Sequence, residues 1–487
     1  MNRELIIGKY TLESLTNGMY ASPLDIYREY IQNSVDSCDD AVRLGIETED
    51  KLAIDILIDN TAKSIIIQDN GCGIRYDDAL GTLLDIGNSK KSRITSRGFR
   101  GIGRLAGLSY CKKLTFRTSY QNEETATVIE FDALLLRELL LPGRHESISV
   151  EDVMEQIVSI RTEKETAKRR YFQVILEGVW EEAGLLNSET VEDYLLQHAP
   201  LHFSNEFNWG RTITEKIRLI GYNIPQYKIR LNGKELFKPY QDTLISDRVK
   251  KRCDFIRDIK IEPFYRKEKL SAILWYANTN FYGTIINNTI KGLRIRQGNI
   301  LIGGKGSCNL LFKEERFNGW LIGELYVIDP EITVNSRRDG FEKNSAYYDL
   351  LSNLKDWASD VSKEIRHISY ERSLSSPQKK IVEAEQLDEI DDENDLYSED
   401  FAYAEDYGES VIIDKEESAE LAETDFISKL ELLLTQKKKQ TKYIALNINS
   451  KLTVEQRRVL ERVFDLIKQE YDHDVAEMFV NTIATKF

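Results

Sequence analysis

The most constraining feature of the sequence is an apolar strand that runs directly into a turn containing two glycines. Residues 64–68 read Ser-Ile-Ile-Ile-Gln, and Asp69-Asn-Gly71-Cys-Gly73-Ile74 follows at once. Glycines at a strand exit permit a tight turn and the close approach of backbone to a ligand. Because Asp-x-Gly-x-Gly is also common in ordinary turns, the pattern predicts a strand with a sharp exit and leaves the ligand open.

A helix with a polar face is predicted upstream of this strand, beginning after Ser22-Pro23. The i, i+4, i+7 spacing places Glu29, Asn33 and Asp36 on one side of that helix. Apolar residues occupy the opposite side and could pack inward: Tyr27, Ile31 and Val35. Such a polar trio is more often a solvated face, so alone it identifies no site.

A glycine-rich segment follows the strand and its turn. It reads Gly98-Phe-Arg-Gly101-Ile-Gly103-Arg104-Leu-Ala-Gly107, and Gly87-Asn-Ser89-Lys90-Lys91 precedes it. A glycine-rich loop that feeds a helix start can hold phosphate with backbone N–H groups and the helix dipole. The alternative interpretation is a plain surface loop.

The order and spacing of these three motifs resemble the nucleotide-binding domain of the GHKL ATPase superfamily, which has the Bergerat fold. This superfamily includes gyrase, heat-shock chaperones, histidine kinases and mismatch-repair proteins. The sequence looks most similar to the ninety-kilodalton heat-shock chaperone family, because residues 15–33 match it in apolar pattern as well as in motif. The resemblance implies a layered α/β domain that binds ATP with Mg²⁺ and hydrolyses the ATP.

The resemblance also implies roles for individual residues. Glu29 would orient and polarise the attacking water, Asn33 would complete the coordination of Mg²⁺, and Asp69 would accept the adenine amino group. Further residues would line the adenine pocket or form the lid over the phosphates: Asp36, Gly71, Gly73, Ile74, Ser89, Lys90, Gly98, Gly101, Gly103 and Arg104.

A fourth match lies far downstream, at Asp329-Pro-Glu-Ile-Thr-Val-Asn-Ser-Arg337-Arg338-Asp339. It resembles the segment of the chaperone's middle domain that supplies an arginine to the γ-phosphate, where an arginine neutralises transition-state charge. The alignment favours Arg337 as the catalytic arginine, with Arg338 as the second candidate. A surface loop of ion pairs is the alternative.

The sequence departs from the superfamily pattern at the strand behind adenine. Relatives have Gly-Thr there, and this chain has Tyr171-Phe172-Gln173. The usual threonine hydroxyl is therefore missing or displaced, which leaves the purine contacts open. The segment beyond about residue 375 does not resemble the chaperone's dimerisation domain.

The chain divides into four predicted regions: an α/β sandwich of Bergerat type (1–205), a second mixed α/β, transducer-like domain (206–375), an acidic linker (376–425) and a small helical C-terminal region (426–487). In the second region, Asn232-Gly233 predicts a β-hairpin. Residues 298–306 partly match the sequence of a Walker loop, but their glycines and lysine are out of register. A glycine-bounded hairpin is therefore predicted instead.

Charge is concentrated in one segment. Residues 383–425 contain 19 Asp or Glu and one Lys, so the rest of the chain is close to neutral despite a formal net charge of −15. No domain-wide basic excess points to nucleic acid. Five scattered cysteines, no CxxC pair and no long apolar run favour a cytoplasmic protein without disulfides, zinc or a membrane span.

The leading hypothesis is therefore an ATP-driven conformational clamp of the heat-shock-chaperone type, acting as a homodimer on an unidentified client. A DNA-acting relative of the mismatch-repair or microrchidia type is the first alternative, although nucleic acid is not favoured by the charge. A nucleotide-sensing scaffold with low turnover, in bacterial stress or phage defence, is the second. A histidine kinase is disfavoured, since no histidine precedes the ATP-binding motifs.

Overall fold

The structure is a computed structural model that describes residues 8–16, 22–85, 103–143, 148–246, 251–335 and 337–373. The expected acidic linker and C-terminal helical region lie outside the described residues and stay predictions.

The described stretches form eight α-helices: α1 (Tyr10–Thr16), α2 (Asp25–Arg43), α3 (Tyr76–Leu84), α4 (Ala133–Leu140), α5 (Val150–Ile157), α6 (Ser188–His198), α7 (Trp209–Leu219) and α8 (Ser345–Ser373). They also form seventeen strands: β1 (Ile54–Asp59), β2 (Ser64–Asp69), β3 (Lys113–Ser119), β4 (Thr125–Asp132), β5 (Val158–Lys164), β6 (Tyr171–Glu177), β7 (His202–Phe203), β8 (Ile229–Leu231), β9 (Lys234–Glu235), β10 (Phe237–Lys238), β11 (Thr243–Ser246), β12 (Arg252–Phe255), β13 (Asp258–Arg266), β14 (Lys269–Asn278), β15 (Gly292–Gln297), β16 (Ile300–Leu301) and β17 (Ile322–Val327).

Eight strands form the first sheet, in the order β5-β4-β3-β6-β2-β1-β8-β9. Alternate residues of its central strands are buried, among them Ile54 and Ile56 on β1 and Ile65 and Ile67 on β2. One face of the sheet therefore carries the core. The prediction of a mixed α/β domain in the first part of the chain is confirmed.

Helix α2 packs against the core of this first sheet. Tyr27, Ile31 and Val35 are buried there, as their spacing predicts. Glu29 and Asp36 are also buried, with 8% and 4% of their surface exposed. The polar side of α2 is thus not a solvated surface, and its carboxylates must find partners inside the protein.

The first sheet includes a strand from beyond residue 205, where the first domain was expected to end. Strand β8 lies parallel to β1, with Ile54 opposite Ile229. Asn232 and Gly233 then turn β8 into β9 with φ angles of 48° and 82°. This left-handed pair is the geometry of a tight hairpin, so the predicted hairpin is confirmed.

The second sheet has the order β13-β14-β17-β15-β16. Its strands are antiparallel except for the parallel pair of β15 and β17. Trp275 on β14 belongs to the apolar cluster that includes Ile213 and Ile217 of α7. The next residue, Tyr276, contacts Trp357 of α8. Helices α7 and α8 therefore cover opposite faces of this sheet.

Residues 298–306 do not form a phosphate loop. Gly298 and Asn299 have φ angles of 55° and 62° and connect β15 to β16 in a hairpin. The prediction of a glycine-bounded hairpin is confirmed. Within the part of the chain that the structure describes, no helix has the length and apolar content needed to span a membrane.

Candidate functional site

Asp69 is the last residue of β2 and is almost completely buried, with 1% of its surface exposed. Its Oδ1 accepts hydrogen bonds from the Ser37 hydroxyl at 2.9 Å and from the Gly71 N–H at 3.0 Å. Its Oδ2 is buried without a hydrogen-bond partner. Burial raises the pKa of Asp69 to about 6, although these hydrogen bonds oppose the shift. An unsatisfied buried carboxylate oxygen is the acceptor that an amino group of a ligand requires.

The two glycines of the turn after β2 are required by close contacts. A Cβ on Gly71 would lie 2.3 Å from the Ser37 hydroxyl oxygen. Gly73 has a φ of +67°, and a Cβ there would lie 2.0 Å from the Ser119 carbonyl oxygen. The turn therefore passes directly between α2 and β3, as an Asp-x-Gly-x-Gly turn that approaches other backbone should.

A threonine hydroxyl is present near this turn, on a strand different from the one that the superfamily pattern indicates. Thr118 on β3 is buried, accepts a hydrogen bond from the Ile74 N–H at 2.9 Å and donates one to the Tyr171 carbonyl at 3.0 Å. Thr118 lies opposite Phe172 in the pairing of β3 with β6. It thus ties the turn to the strand that lacks the Gly-Thr pair.

Glu29 contacts an arginine from the loop between β17 and α8. Its Oε1 lies 3.1 Å from Nε of Arg338, and both side chains are nearly buried, with 10% and 14% exposed. Arg28 lies 3.6 Å from the same carboxylate oxygen and 3.3 Å from the carboxylate of Asp25. The polar face of α2 is therefore an ion-pair cluster that the distant loop completes.

The two candidate arginines are placed differently. Arg338 has a φ of +58°, which is unusual for a residue with a side chain, and it points to Glu29. Arg337 is exposed, and its carbonyl accepts a hydrogen bond from Arg28 at 3.4 Å. The structure thus brings the second candidate of the sequence, rather than the first, to the predicted catalytic carboxylate.

Asn33 lies on α2 between Glu29 and Ser37 and is partly exposed. Its amide oxygen is the kind of ligand that Mg²⁺ accepts, so the donor chemistry fits the predicted role. Asp36, one turn further, is buried.

The lid is only partly described. Gly103 begins a 3-10 helix, Gly103–Ser109. The hydroxyl of Tyr30 on α2 donates to the Arg104 carbonyl at 3.1 Å and accepts from the Gly107 N–H at 2.9 Å. The Arg104 side chain donates to the carbonyl of Asp85, and burial lowers the pKa of Arg104 to about 10. Four predicted lid residues lie outside the described residues: Ser89, Lys90, Gly98 and Gly101.

The cluster around Glu29 is connected to the second sheet through α6. The hydroxyl of Tyr194 on α6 donates to Asp25 at 2.9 Å. Arg296 on β15 donates to the carbonyl of Gln197 at 2.9 Å and to that of Ala199 at 3.4 Å. A cation at these last carbonyls of α6 satisfies groups that a helix end leaves unpaired.

Arg296 belongs to a fully buried set of charges inside the second sheet. Its Nε lies 2.5 Å from Glu324 on β17, and Nζ of Lys238 lies 2.5 Å from the other oxygen of that carboxylate. The two cations lower the pKa of Glu324 to about 2 despite its burial. Such a paired, hydrogen-bonded cluster fixes α6 relative to the sheet.

Several of these residues were not identified from the sequence: Arg28, Ser37, Thr118, Tyr194 and Arg296. Ser37 continues the polar spacing of α2 by one turn after Asn33, and this was a usable signal. The other contacts depend on strand register or on residues far apart in the chain.

Comparison with known proteins finds similarity to ATPases in the first part of the chain. Residues 24–156 match the family described as histidine kinase-, DNA gyrase B-, and HSP90-like ATPase. The DNA mismatch repair protein MutL of Aeromonas salmonicida is 27% identical over 139 residues, which cover 27% of this chain and 20% of that protein. MutL of Chlorobium phaeovibrioides is 27% identical over 163 residues, which cover 31% of this chain and 24% of that protein. The chain thus matches only about a fifth to a quarter of these relatives.

The chain contains a GHKL-type ATPase domain, as predicted. Both of these distant relatives are MutL proteins, not heat-shock chaperones.

Proposed function

We propose that this protein binds and hydrolyses ATP in a site that the first domain forms and the loop before α8 completes. Asp69 accepts the amino group of adenine, the turn through Gly73 and Ile74 lines the base, and Glu29 polarises the attacking water. Asn33 would hold Mg²⁺, which would offset the negative charge of the phosphates.

The observation that carries this proposal is the ion pair between Glu29 and Arg338. In the arrangement described, Arg338 neutralises the carboxylate that should act as the general base. Phosphate oxygens of the substrate would compete for the same guanidinium. Once Arg338 pairs with phosphate, Glu29 is free to polarise water, so that substrate binding and the position of the second region become linked.

We further propose that the ATPase acts on DNA, as a protein of the mismatch-repair type. The names of the two relatives support this over the chaperone interpretation. The charge supports it too: residues 206–375 contain 29 Lys or Arg and 21 Asp or Glu, whereas residues 1–205 contain 23 and 33. The expectation of no domain-wide basic excess, which was drawn from the near-neutral average, is therefore wrong for residues 206–375, and a basic region of this kind attracts phosphate backbones.

A direct test is the release of phosphate from Mg²⁺-ATP by the full chain, with and without double-stranded DNA. Glu29→Ala is the test variant, since it should bind ATP but turn over at least about a hundred-fold more slowly. Turnover that survives unchanged in Glu29→Ala would show that this residue is not the catalytic carboxylate. If DNA changes neither turnover nor its salt dependence, the DNA-acting part of the proposal fails while the ATPase part stands.

A homodimer and a cytoplasmic location stay proposals as well. Light scattering of the full chain with and without a non-hydrolysable ATP analogue tests the dimer.

A further inference from the structure

The two oxygens of the Asp69 carboxylate are not equivalent, and Ser37 makes the difference. The Ser37 hydroxyl and the Gly71 N–H both donate to Oδ1, at 2.9 Å and 3.0 Å. Oδ2 is buried without a partner. The carboxylate is thus held at one oxygen by the protein, and the other oxygen remains to accept from a ligand.

Ser37 is itself fixed in place by the turn after β2. The Cys72 N–H donates to the Ser37 carbonyl at 3.2 Å. A Cβ on Gly71 would lie 2.3 Å from the Ser37 hydroxyl oxygen and 2.7 Å from its carbonyl oxygen. The absence of a side chain on Gly71 therefore creates the space that Ser37 fills.

We propose that Ser37 is a positioning residue that determines base specificity, because it holds Oδ1 and so leaves Oδ2 as the acceptor for a 6-amino purine. A 6-oxo purine presents an acceptor at the same ring position, which the carboxylate repels. This inference rests on the proposed binding of ATP and adds the residue that sets the choice of base.

The surroundings of Asp69 make this selectivity depend on pH. Burial raises its pKa to about 6, although the hydrogen bonds from Ser37 and the Gly71 N–H oppose this rise. Among the residues that the structure describes, the thiols of Cys38 on α2 and Cys72 on the turn also interact with Asp69. Burial raises the pKa of both, that of Cys72 to about 11, so both thiols are neutral at physiological pH.

The direction in which the base preference changes with pH follows from the raised pKa of Asp69. Below about pH 6 the carboxyl keeps its proton and can donate, which suits a 6-oxo purine; above it the carboxylate accepts, which suits a 6-amino purine. The preference for ATP over inosine triphosphate should therefore rise by about tenfold or more between roughly pH 5 and pH 7. Taking the ratio of the two affinities cancels the ionisation of the triphosphate, which both nucleotides share.

The experiment is a calorimetric titration of the full chain with ATP and with inosine triphosphate across this pH range, for wild type and Ser37→Ala. Loss of a hydrogen bond to the ionised form should move the midpoint of the ATP preference upward by about one pH unit. At roughly pH 6.5 the variant should then bind ATP about threefold more weakly, and the difference should shrink towards roughly pH 8.5. Ser362→Ala is the matched control, since its buried hydroxyl donates to the Ala358 carbonyl of α8, far along the chain from the base site.

The inference is wrong if Ser37→Ala keeps both the midpoint and the ratio of the wild type. Should Ser37→Ala fail to fold, the wild type alone can still overturn the inference, because parallel pH profiles for the two nucleotides would contradict it. A wild type that binds neither nucleotide would instead overturn the proposed ATP binding, which is a different result.

Discussion

The base end and the phosphate end of the site are constructed in different ways. Asp69 is held by α2, by the turn that follows β2 and by the neighbouring strands, all within the first domain. Glu29 lies on the same helix α2, yet its carboxylate is paired with Arg338, from the loop after the second sheet. The comparison indicates that recognition of the base is local, whereas hydrolysis depends on how the second region is placed.

The largest effect on turnover is expected when the two candidate arginines are replaced one at a time. Arg338→Ala should lower kcat at least about a hundred-fold and leave ADP affinity nearly unchanged, because an arginine that neutralises phosphoryl charge acts mainly in the transition state. Arg337→Ala is the matched control, and its kcat should stay within about threefold of wild type. Steady-state kinetics with parallel ADP titrations measure both. The reverse pattern would return the role to Arg337, and full activity in both variants would remove the second region from the active site.

The next effect tests the base end. Asp69→Asn should weaken ATP binding by roughly thirtyfold, since the amide can present a donor where the adenine amino group needs an acceptor. At saturating ATP, kcat should change little, because the Glu29 cluster is intact. Asp59→Asn makes the same change at the exposed end of β1 and is the control. Calorimetry that finds equal ATP affinity in Asp69→Asn and wild type contradicts the assignment.

A smaller effect is expected from Thr118→Val, which removes the hydroxyl that joins Ile74 to Tyr171. The variant should bind ATP about fivefold more weakly and unfold at a lower temperature, because the Ile74 N–H and the Tyr171 carbonyl lose a hydrogen-bond partner. Thr127→Val changes a buried threonine on the adjacent strand β4 and serves as the comparison. Equal losses of ATP affinity in the two variants would mean that Thr118 has no particular role at the base.

The smallest effect probes the connection between the two ends. Tyr194→Phe removes the hydrogen bond to Asp25 that ties α6 to the Glu29 cluster. A loss of about threefold in kcat, with ATP affinity retained, is expected for one such bond. Pre-steady-state kinetics can separate the chemical step from product release. A change in affinity without a change in kcat would place Tyr194 with base recognition instead.

Local patterns in the sequence were sufficient for much of the fold. The helical spacing of α2, the apolar run of β2 and the two glycine-containing hairpins are each determined over a few residues, and all are present. The same holds for Asp69, which is positioned by the turn that follows it.

The features of the site that the sequence did not predict depend on contacts between residues that are distant in the chain. Arg337 and Arg338 are adjacent, and Arg338, whose φ is left-handed, is the one whose side chain reaches Glu29. Thr118 acquires its partners through the register of β3 against β6. Neither a backbone angle of this kind nor a strand register can be obtained from spacing along one chain.

The parallel pairing of β1 with β8 has a consequence for how the protein is made. Arg230 on β8 forms a bidentate ion pair with Asp55 on β1, with hydrogen bonds of 2.5 Å and 2.7 Å. The two residues are 175 positions apart in the sequence. At a synthesis rate of about 5–20 residues per second, β8 leaves the ribosome roughly 9–35 s after β1. During that interval β1 is an open sheet edge, with unpaired backbone groups that attract other strands. Nascent chains should therefore need protection, for example by a chaperone, until residue 231 has emerged, and truncations that end before β8 should aggregate.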